Sequence, residues 1–375
     1  MKAVFLTNPD DFDSVRAGGV QICSQEYFQV FQNCFPSLRR IDAQGSRHII
    51  DRFQRKFGLK RYLNHNPARR PEVMKQLEHL SPDVVLINHC ELLRYAKAIK
   101  LTLPNAKIII LSHGNRSGDD LYELTSMNGR FQRNGKTSIV NRLNFGSDVI
   151  MEGVYRQRYI DGVVTMSHEE VAIEQWLGSK HTFFFPRIIE RNLLTWNPTK
   201  DRIGFIGTLN HTPNRIAIQE ILNWFRENTV QPPSIRIVGY GEKIGKEFQN
   251  HYPFVKYLGE LDEENAQTEI GTWSLFLNPI FWLSRGASMK LKKALSWGIP
   301  TITTSFGMRG YNLPKGAVIR TKSTVDDFCI EAAKALGQLE KIEKLRQVLE
   351  EDSFDQASIK HVSENFMTFM KRISP

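Results

Sequence analysis

The sequence is poor in cysteine and contains no long apolar run, and each absence excludes a class of protein. Only four cysteines occur in 375 residues, and no two of them have the CxxC spacing of common zinc and redox motifs. Free thiols in a reducing cytosol are the simpler interpretation. No apolar run approaches the ~20 residues that a membrane-spanning helix needs. The sequence also has no Walker loop and no GxSxG motif, so neither of those sites is expected.

Acidic residues are missing from one long stretch, and this absence is the most informative. Gly271–Thr324 contains no Asp or Glu, but it contains eight Lys or Arg. Within it, Leu275–Gly310 predicts a buried strand, a loop at Arg285 and a helix over Ser288–Trp297. The first N–H groups of a helix have no partner within it, and the helix dipole adds positive charge there. This strand, loop and helix therefore predict a phosphate pocket.

Length and charge set the remaining limits. A chain of 375 residues exceeds the usual size of one hydrophobic core, so two domains are expected. Its 41% hydrophobic and 24% charged residues are typical of a soluble globular protein. The start, MKAVFLTNPDD, predicts a first strand rather than a signal peptide. The net charge of +10 indicates a polyanionic partner, which could be nucleic acid, acidic lipid or a phosphorylated substrate.

Short apolar runs alternate with helical patterns along the chain, which predicts parallel sheets covered on both faces. We expect an α/β protein with two doubly wound, Rossmann-like domains that face a cleft. The first is expected over residues 1–190 and the second over residues 200–350, joined at 186–200 where periodicity lapses. A last helix within residues 355–375 is expected to cross back and complete the first domain. Strands are predicted at 2–7, 38–41, 83–88, 107–112, 162–166, 181–185, 202–206, 234–238, 255–258, 274–277, 301–304 and 318–319; helices are predicted at 18–33, 72–80, 91–101, 168–176, 214–226, 242–250, 288–297, 325–349 and 355–371.

Two motifs in the first half lie at the C-terminal ends of predicted strands, where α/β proteins bind ligands. In RAGGV, Gly18 and Gly19 let a ligand or the other domain approach the backbone, although a flexible turn explains them equally well. His113 follows the fourth strand in LSHGNRSGDD, where a surface histidine is the alternative. Asp119 and Asp120 are the nearest carboxylates, and solvation is their default.

Two motifs in the second half have the same strand–loop–helix form. FIGTLNHTPN predicts an anion cradle lined by Thr208, Asn210 and His211, with Pro213 in the first turn of the next helix. An ordinary strand–turn–helix connection is the alternative. IVGYGEKIG has GxGxxxG spacing and no acid about 20 residues later, so it predicts a glycine turn beside a base or ribose, not an NAD site. Asp11 and Asp13 form a DxD in an acidic turn, which we reject as a metal site.

A basic segment, Arg47–Lys75, holds nine Lys or Arg against Asp51 and Glu72. Part of it, HIIDRFQRKFGL, is amphipathic. Such a helix can rest on an anionic membrane surface, and it can equally be a solvated helix with its apolar side turned to the core. No nucleic-acid-binding module accompanies it, so nucleic acid is not expected as a partner.

These motifs, in this order, resemble a GT-B glycosyltransferase, and they are most similar to glycosyltransferase family 4 (glycosyl transferases group 1). The matching pieces are AGGV, His113, FIGTLNHTPN, IRIVGYGE, VKYLGELDE and RGASMKLKKALSWGIPTITTSFGMRG. The resemblance is most specific over Arg202–Gly310. It implies two Rossmann-like domains with a nucleotide-diphosphate sugar between them.

The resemblance also implies roles for individual residues. His113 would contact the donor sugar, and Lys290 would neutralise the leaving phosphate, which is what allows a nucleoside diphosphate to leave. Arg285 is expected to take part in catalysis, with Asp119 as a candidate base. The donor-binding residues that the resemblance implies are Gly18, Gly19, Gly207, Thr208, Asn210, Arg215, Gly239, Tyr240, Gly241, Gly286, Ala287, Ser288, Met289 and Lys293.

Two departures from the family pattern bear on the mechanism. The family usually has two glutamates eight positions apart, and Arg285 and Lys293 stand at those places. The arginine and lysine that usually follow the first loop of the second domain are Thr208 and the Asn214–Arg215 region here. We expect Arg285 and Lys293 to contact the diphosphate instead. Retention of configuration is therefore open, and an inverting enzyme would need His113, Asp119 or Asp120 as its base.

The sequence therefore predicts a metal-independent glycosyltransferase that moves a sugar to a glycan or lipid-linked acceptor in cell-envelope polysaccharide or lipopolysaccharide synthesis. No cofactor is expected, because the nucleotide sugar is the co-substrate. The expected location is the cytoplasm or the inner face of the membrane. One alternative is a catalytically silent GT-B domain that binds nucleotide or glycan or acts as a scaffold. Another is a binder of sugar phosphates or nucleic acid that uses the net charge.

Overall fold

Two parallel six-stranded sheets, each covered by helices, form the protein. We describe residues 1–13, 18–45, 65–125, 139–282, 286–351 and 357–373 of a computed structural model. All neighbouring strands in both sheets run parallel. The predicted GT-B fold class, with two doubly wound units, is confirmed.

The first sheet is built from the first half of the chain in the order β2-β1-β3-β4-β5-β6. Its central strands are buried along their whole length, as the apolar runs predict. The strands are β1 (Ala3–Thr7), β2 (Arg39–Asp42), β3 (Val84–Asn88), β4 (Lys107–Leu111), β5 (Gly162–Thr165) and β6 (Thr182–Phe184).

The second sheet follows a segment, residues 185–201, that contains no helix or strand. Its order is β12-β11-β10-β7-β8-β9. The strands are β7 (Arg202–Ile206), β8 (Ser234–Val238), β9 (Val255–Gly259), β10 (Leu275–Asn278), β11 (Thr301–Thr304) and β12 (Ile319–Thr321). The irregular segment coincides with the predicted join, although the domain boundaries stay a prediction.

The described helices pack against both faces of these sheets. They are α1 (Gly19–Cys34), α2 (Pro71–Leu80), α3 (Arg94–Thr102), α4 (Arg116–Thr125), α5 (Ile139–Tyr159), α6 (His168–Trp176), α7 (Thr212–Asn228), α8 (Glu242–His251), α9 (Glu263–Ile270), α10 (Met289–Ser296), α11 (Val325–Leu336), α12 (Leu339–Glu350) and α13 (Ile359–Ile373). Among the described residues, no helix combines the length and apolar character needed to cross a bilayer.

The last helix returns to the first sheet, as the sequence predicts. Ser363 Oγ donates a hydrogen bond of 3.2 Å to the Val30 carbonyl on α1. The Phe31 and Phe366 rings meet edge to face at 4.6 Å between centroids. Helix α13 therefore joins the first core although it follows the whole second sheet in sequence.

Several helix predictions need correction. The single helix predicted over 325–349 is two helices, α11 and α12, separated by Gly337 and Gln338. The helix predicted over 91–101 starts as a 3-10 turn, Cys90–Leu92. Helices α4, α5 and α9 are missing from the prediction. Helix α5 escapes a search for apolar periodicity because it buries polar residues, including Asp148, Glu152 and Arg156.

Candidate functional site

The strand orders place one topological switch point in each sheet. In the first sheet β1 has β2 on one side and β3 on the other, and in the second sheet β7 lies between β8 and β10. Crevices that bind ligands open beyond the carboxyl ends of the strands at such points. The predicted loops after β1, β7 and β10 all lie at these two crevices.

The loops after β7 and β8 form one continuous surface. Leu209 N–H donates to the Tyr240 carbonyl at 2.7 Å. Gly239 has a φ of 132°, and a Cβ there would lie 2.5 Å from the Gly207 carbonyl oxygen. Only glycine fits this conformation and this close approach. The loops predicted to hold the nucleotide are therefore adjacent, and the side chain of Tyr240 is half exposed beside them.

The loop after β10 leads into α10 through a capped N-terminus. Ser288 Oγ accepts the Leu291 N–H at 3.3 Å, and the same hydroxyl donates to Asn278 Oδ1 at 2.9 Å. Asn278 is buried and donates in turn to Thr303 Oγ1 at 2.8 Å. This network fixes the first turn of α10, where the helix dipole favours an anion.

Lys290, in the first turn of α10, faces the loop after β7. Its ammonium donates to Asn214 Oδ1 at 3.0 Å, and Asn214 Nδ2 donates to the Thr208 carbonyl at 3.0 Å. The ammonium also lies 5.6 Å from the centre of the Phe205 ring. Burial lowers the pKa of Lys290 to about 8, because the ammonium loses contact with water. An anion bound between these loops would favour the charged form of Lys290.

His113 lies at the first crevice, beyond β4, and is buried. Its Nε2 is 2.9 Å from Asn88 Oδ1, and its ring meets the edge of the Tyr27 ring at 5.5 Å between centroids. His89, at the end of β3, lies 5.1 Å away, ring centre to ring centre. The predicted sugar-contacting histidine is therefore held on two sides by buried side chains.

The two crevices face each other, and the ends of α1 and α10 meet there. A Cβ on Gly19 would lie 3.5 Å from Met289 Cγ. Glu170, buried in the first turn of α6, accepts the Gly286 N–H through Oε1 at 2.7 Å and the Met166 N–H through Oε2 at 3.1 Å. A carboxylate from the first half of the chain therefore holds the backbone of the second half's predicted phosphate loop. Burial raises the pKa of Glu170, while these backbone N–H groups and Arg309 oppose the rise.

A second set of charged contacts joins the same elements. Glu26, buried on α1, pairs through Oε2 with Arg187 Nη1 at 3.0 Å and with Lys292 Nζ on α10 at 3.1 Å. Arg187 Nη2 also donates to the Ala287 carbonyl at 3.3 Å. Burying a charge without a partner is costly, so the pairs of Glu26 with Arg187 and with Lys292 are expected to form together. The predicted phosphate loop is thus held at the N–H of Gly286 and at the carbonyl of Ala287.

The structure brings most of the predicted residues to these facing crevices. Those lying on the loops and helix ends described above are Gly18, Gly19, His113, Gly207, Thr208, Asn210, Gly239, Tyr240, Gly241, Gly286, Ala287, Ser288, Met289 and Lys290. Arg215 lies one position beyond Asn214 in α7. No measurement tests the roles of these residues, so the roles stay predictions.

The remaining predicted residues lie differently. The exposed Lys293 places its ammonium 4.7 Å over the centre of the Trp297 ring. Asp119 is half-buried in α4, and its charge acts on Arg309. Asp120 is buried and pairs with Arg116 at 3.4 Å, which corrects the expectation that it is solvated. Arg285 and most of Arg47–Lys75 lie outside the described residues.

Sequence reasoning missed the residues that hold the site together, namely Asn88, Glu26, Glu170 and Arg187. Glu170 had a local signal, because Ser167 and Glu170 have the spacing of a helix-capping box, and Ser167 Oγ accepts the Glu170 N–H at 3.2 Å. This spacing predicts where α6 begins, but it does not predict the hydrogen bond from Gly286 to Glu170 across the crevice. Asp11 was considered only as a metal ligand, and the described residues contain no cluster of His, Cys, Asp or Glu that could hold a metal ion.

Comparison with known proteins agrees with this geometry. The family described as glycosyl transferases group 1 matches residues 200–339, which span the second sheet from β7 to the end of α11. The chain has the GT-B fold. The resemblance to glycosyl transferases group 1 is confirmed for this part of the chain. No curated protein sequence matches the chain.

Solved structures match the GT-B fold over the full chain. Sucrose-phosphate synthase from Thermosynechococcus elongatus superposes with a TM-score of 0.69 at 12% identity, covering 100% of this chain and 99% of its own. The lipopolysaccharide outer core galactosyltransferase WaaB superposes with a TM-score of 0.61 at 14% identity, covering 99% of both. Anabaena HepE in complex with UDP-glucose gives 0.65 at 10% identity, covering 99% of this chain and 100% of its own. At these identities the likeness establishes the shared GT-B fold.

Proposed function

We propose that the protein is a glycosyltransferase that moves a sugar from a nucleotide-diphosphate sugar to a glycan or lipid-linked acceptor. The observation that carries the proposal is the position of Lys290. Its partly desolvated ammonium lies beside Thr208 and Asn214, at the N-terminus of α10, where that helix meets Gly19 of α1. A diphosphate bound there would meet one fixed positive charge and two helix N-termini.

This arrangement supplies what a leaving nucleoside diphosphate requires. Negative charge grows on the diphosphate as the glycosidic bond breaks, and preorganised donors lower the barrier most where that charge develops. Lys290 and the capped N-terminus of α10 provide such donors from rigid elements. We therefore propose that the reaction needs no metal ion and no cofactor beyond the nucleotide sugar. We propose that His113, which follows β4 at the first crevice, contacts the sugar.

The comparisons support a first choice of donor and acceptor. Anabaena HepE binds UDP-glucose, which makes a uridine diphosphate sugar the first donor to test. WaaB acts on the outer core of lipopolysaccharide, and this supports cell-envelope polysaccharide synthesis as the setting. We propose that the enzyme works in the cytoplasm or on the inner face of the membrane, close to a lipid-linked acceptor.

The proposal is tested with UDP-, GDP- and dTDP-sugars, measuring thermal stabilisation and slow donor hydrolysis. A ligand that binds only the folded state stabilises it by mass action, so even a weak donor is detected at high concentration. We expect Lys290→Ala to reduce kcat by ~10²-fold or more with the active donor. Lys334→Ala is the matched control, because Lys334 pairs with Glu331 on the exposed side of α11. Near-wild-type turnover by Lys290→Ala would refute the assigned role.

A catalytically silent GT-B domain is the second candidate. It is favoured by the absence of any Asp or Glu from Gly271 to Thr324, because the family that the chain resembles usually has two glutamates there. Binding of a nucleotide diphosphate without turnover of any sugar in the panel would support this candidate.

A further inference from the structure

A buried polar network converges on Asn88 at the end of β3. The amide nitrogen Nδ2 lies 2.9 Å from Ser24 Oγ, 3.0 Å from Thr7 Oγ1 and 3.3 Å from Asp11 Oδ2. The amide oxygen Oδ1 lies 2.9 Å from His113 Nε2. All five side chains are buried, and they occupy the switch point between β1 and β3. The network therefore reaches from the first loop of the chain to the predicted sugar-contacting histidine.

The neighbours of Asn88 determine which way its amide points. An ionised carboxylate can only accept hydrogen bonds, so the Asn88 atom that faces Asp11 is the NH₂ group. The oxygen then faces His113, and a carbonyl oxygen also accepts only. His113 must therefore carry its proton on Nε2. In a neutral imidazole the other nitrogen, Nδ1, then holds a lone pair.

The hydrogen bonds of this network run in one direction. His113 donates to Asn88, Asn88 donates to Thr7, and the Thr7 hydroxyl lies 3.4 Å from the Asp11 carboxylate that terminates the chain. Bonds aligned in this way polarise one another in a buried environment. The tautomer of His113 is thus set through Asn88 by the Asp11 carboxylate, which Asn88 Nδ2 contacts directly at 3.3 Å.

We propose that Asn88 and Asp11 are positioning residues that hold His113 neutral with its proton on Nε2, so that Nδ1 accepts a hydrogen bond from a sugar hydroxyl. The proposal rests on the proposed function. The phosphate loop approaches this histidine, since a Cβ on Gly286 would lie 3.8 Å from the His113 carbonyl oxygen. The other tautomer would set the Nε2 lone pair against the Asn88 oxygen and would make Nδ1 a donor to the sugar hydroxyl instead of an acceptor from it. In the serine protease triad, the wrong histidine tautomer costs much of the rate.

The arrangement holds only while Asp11 is ionised. Burial raises the pKa of Asp11 to about 6, the charge of His89 opposes the rise, and Glu91 adds to it. Below that pH a protonated Asp11 can donate, and the direction of the chain is no longer imposed. His89 itself accepts the Glu91 N–H through Nδ1 at 3.2 Å, so its neutral form also carries the proton on Nε2.

Nitrogen NMR of the full chain with ¹⁵N-labelled histidine tests the tautomer directly at pH 7.5. We expect a protonated Nε2 and an unprotonated Nδ1 at His113. His251 provides an internal reference of the opposite kind, because its Nδ1 lies 2.8 Å from the Glu247 carbonyl and must donate. A proton on His113 Nδ1, or on both nitrogens, would overturn the proposal.

Asp11→Asn separates positioning from folding, because it keeps the shape while it removes the charge and replaces one acceptor oxygen by an NH₂ donor. We expect His113 to show mixed tautomers, the donor KM to rise about tenfold as one oriented hydrogen bond is lost, and a step near pH 6 in kcat/KM to disappear. Ser24→Ala removes another partner of Asn88 without touching the carboxylate, and should keep the tautomer.

The outcomes of these measurements separate the inference from the function. A wild-type tautomer and a wild-type pH profile in Asp11→Asn would contradict the positioning role. The NMR measurement requires no donor. A single Nε2–H tautomer in a protein that binds and turns over no nucleotide sugar would therefore overturn the proposed function and leave the tautomer assignment standing.

Discussion

Glu170 Oε1 accepts the Gly286 N–H at 2.7 Å, and this bond joins a carboxylate of α6 to the loop that leads into α10. The second oxygen of Glu170 accepts the Met166 N–H in its own half of the chain. Both oxygens are thus committed, one on each side of the crevice. The described conformation of the predicted phosphate loop therefore includes a contact with the first half of the chain.

Glu170→Gln should weaken this connection without changing the size of the side chain. An amide has one acceptor oxygen, so either Gly286 or Met166 loses its partner, and Arg309 loses a nearby negative charge. We expect the free energy of unfolding to fall by ~1–3 kcal/mol, the cost of a buried unsatisfied group. Denaturant unfolding of the wild type and the variant measures this difference in free energy.

The neighbouring residue gives the control for this variant. Glu169 is exposed in the same turn of α6, and Glu169→Gln should change the free energy of unfolding by less than ~0.5 kcal/mol. Equal stability of both variants would show that the contact between Glu170 and Gly286 does not form in solution.

The pKa of Lys290 predicts opposite pH effects on stability and on donor binding. Burial lowers this pKa from 10.5 to about 8. Between these values the unfolded chain binds the proton and the folded chain does not, so the contribution of Lys290 to unfolding free energy rises with pH. Binding of a diphosphate requires the charged form, so donor affinity should fall as pH rises above about 8.

Lys290→Met isolates both effects. We expect calorimetry to show that the variant binds UDP weakly at every pH and lacks the decline above about pH 8. The difference in unfolding free energy between wild type and variant should change across the same range, because other groups titrate equally in both. A wild-type pH dependence in Lys290→Met would assign the titration to another group.

The sequence predicts the fold more fully than it predicts the site. Glycine loops, strand spacing and the acid-free stretch are local signals, and they place Gly18, Gly207, Gly239 and Lys290 at the two facing crevices. Parallel strands buried on both faces leave few alternatives to a doubly wound sheet. The two Rossmann-like units and the returning helix α13 follow from such signals.

The contacts across the crevice could not be predicted in the same way. Glu170 caps its own helix by a local rule, but its bond to Gly286 spans 116 positions. Asn88 is the last residue of an apolar strand, and its partners come from four separate segments: β1, the turn after it, α1 and the loop after β4. Helix α5 buries Arg156, which pairs with Glu174, instead of a continuous apolar face by which a helix is recognised in a sequence. In each case the structure depends on hydrogen bonds and ion pairs of buried polar side chains, and these leave no periodic pattern in the sequence.

Substitution of Lys293 tests a prediction that rests on the resemblance to the family. Because Lys293 stands where the family usually has a glutamate, the sequence predicts that it contacts the diphosphate, whereas the structure places its ammonium over the Trp297 ring. If the ring contact persists in solution, Lys293→Ala should lower the free energy of unfolding by ~0.5–1 kcal/mol, typical of an exposed cation–π contact, and should leave the Kd for UDP unchanged. A Kd that rises as much as in Lys290→Ala would instead establish the diphosphate role.

Substitution of Gly310 by alanine tests how closely the two halves of the chain pack together. Its φ is 78°, and a Cβ would lie 2.1 Å from the Met166 carbonyl oxygen and 2.8 Å from Ala287 Cβ. Gly316 has a similar φ of 90°, but a Cβ there meets only Val348 Cγ2 at 3.7 Å. Both alanine variants therefore carry the left-handed strain of ~1–2 kcal/mol, and only Gly310→Ala adds a clash with backbone. We expect Gly310→Ala to lower the free energy of unfolding by at least ~2 kcal/mol more than Gly316→Ala, as measured with denaturant. Gly310→Ala should also weaken UDP binding, because relief of the clash moves Met166 away from the predicted phosphate loop. Equal losses in the two variants would mean that the crevice is more open in solution than in the structure.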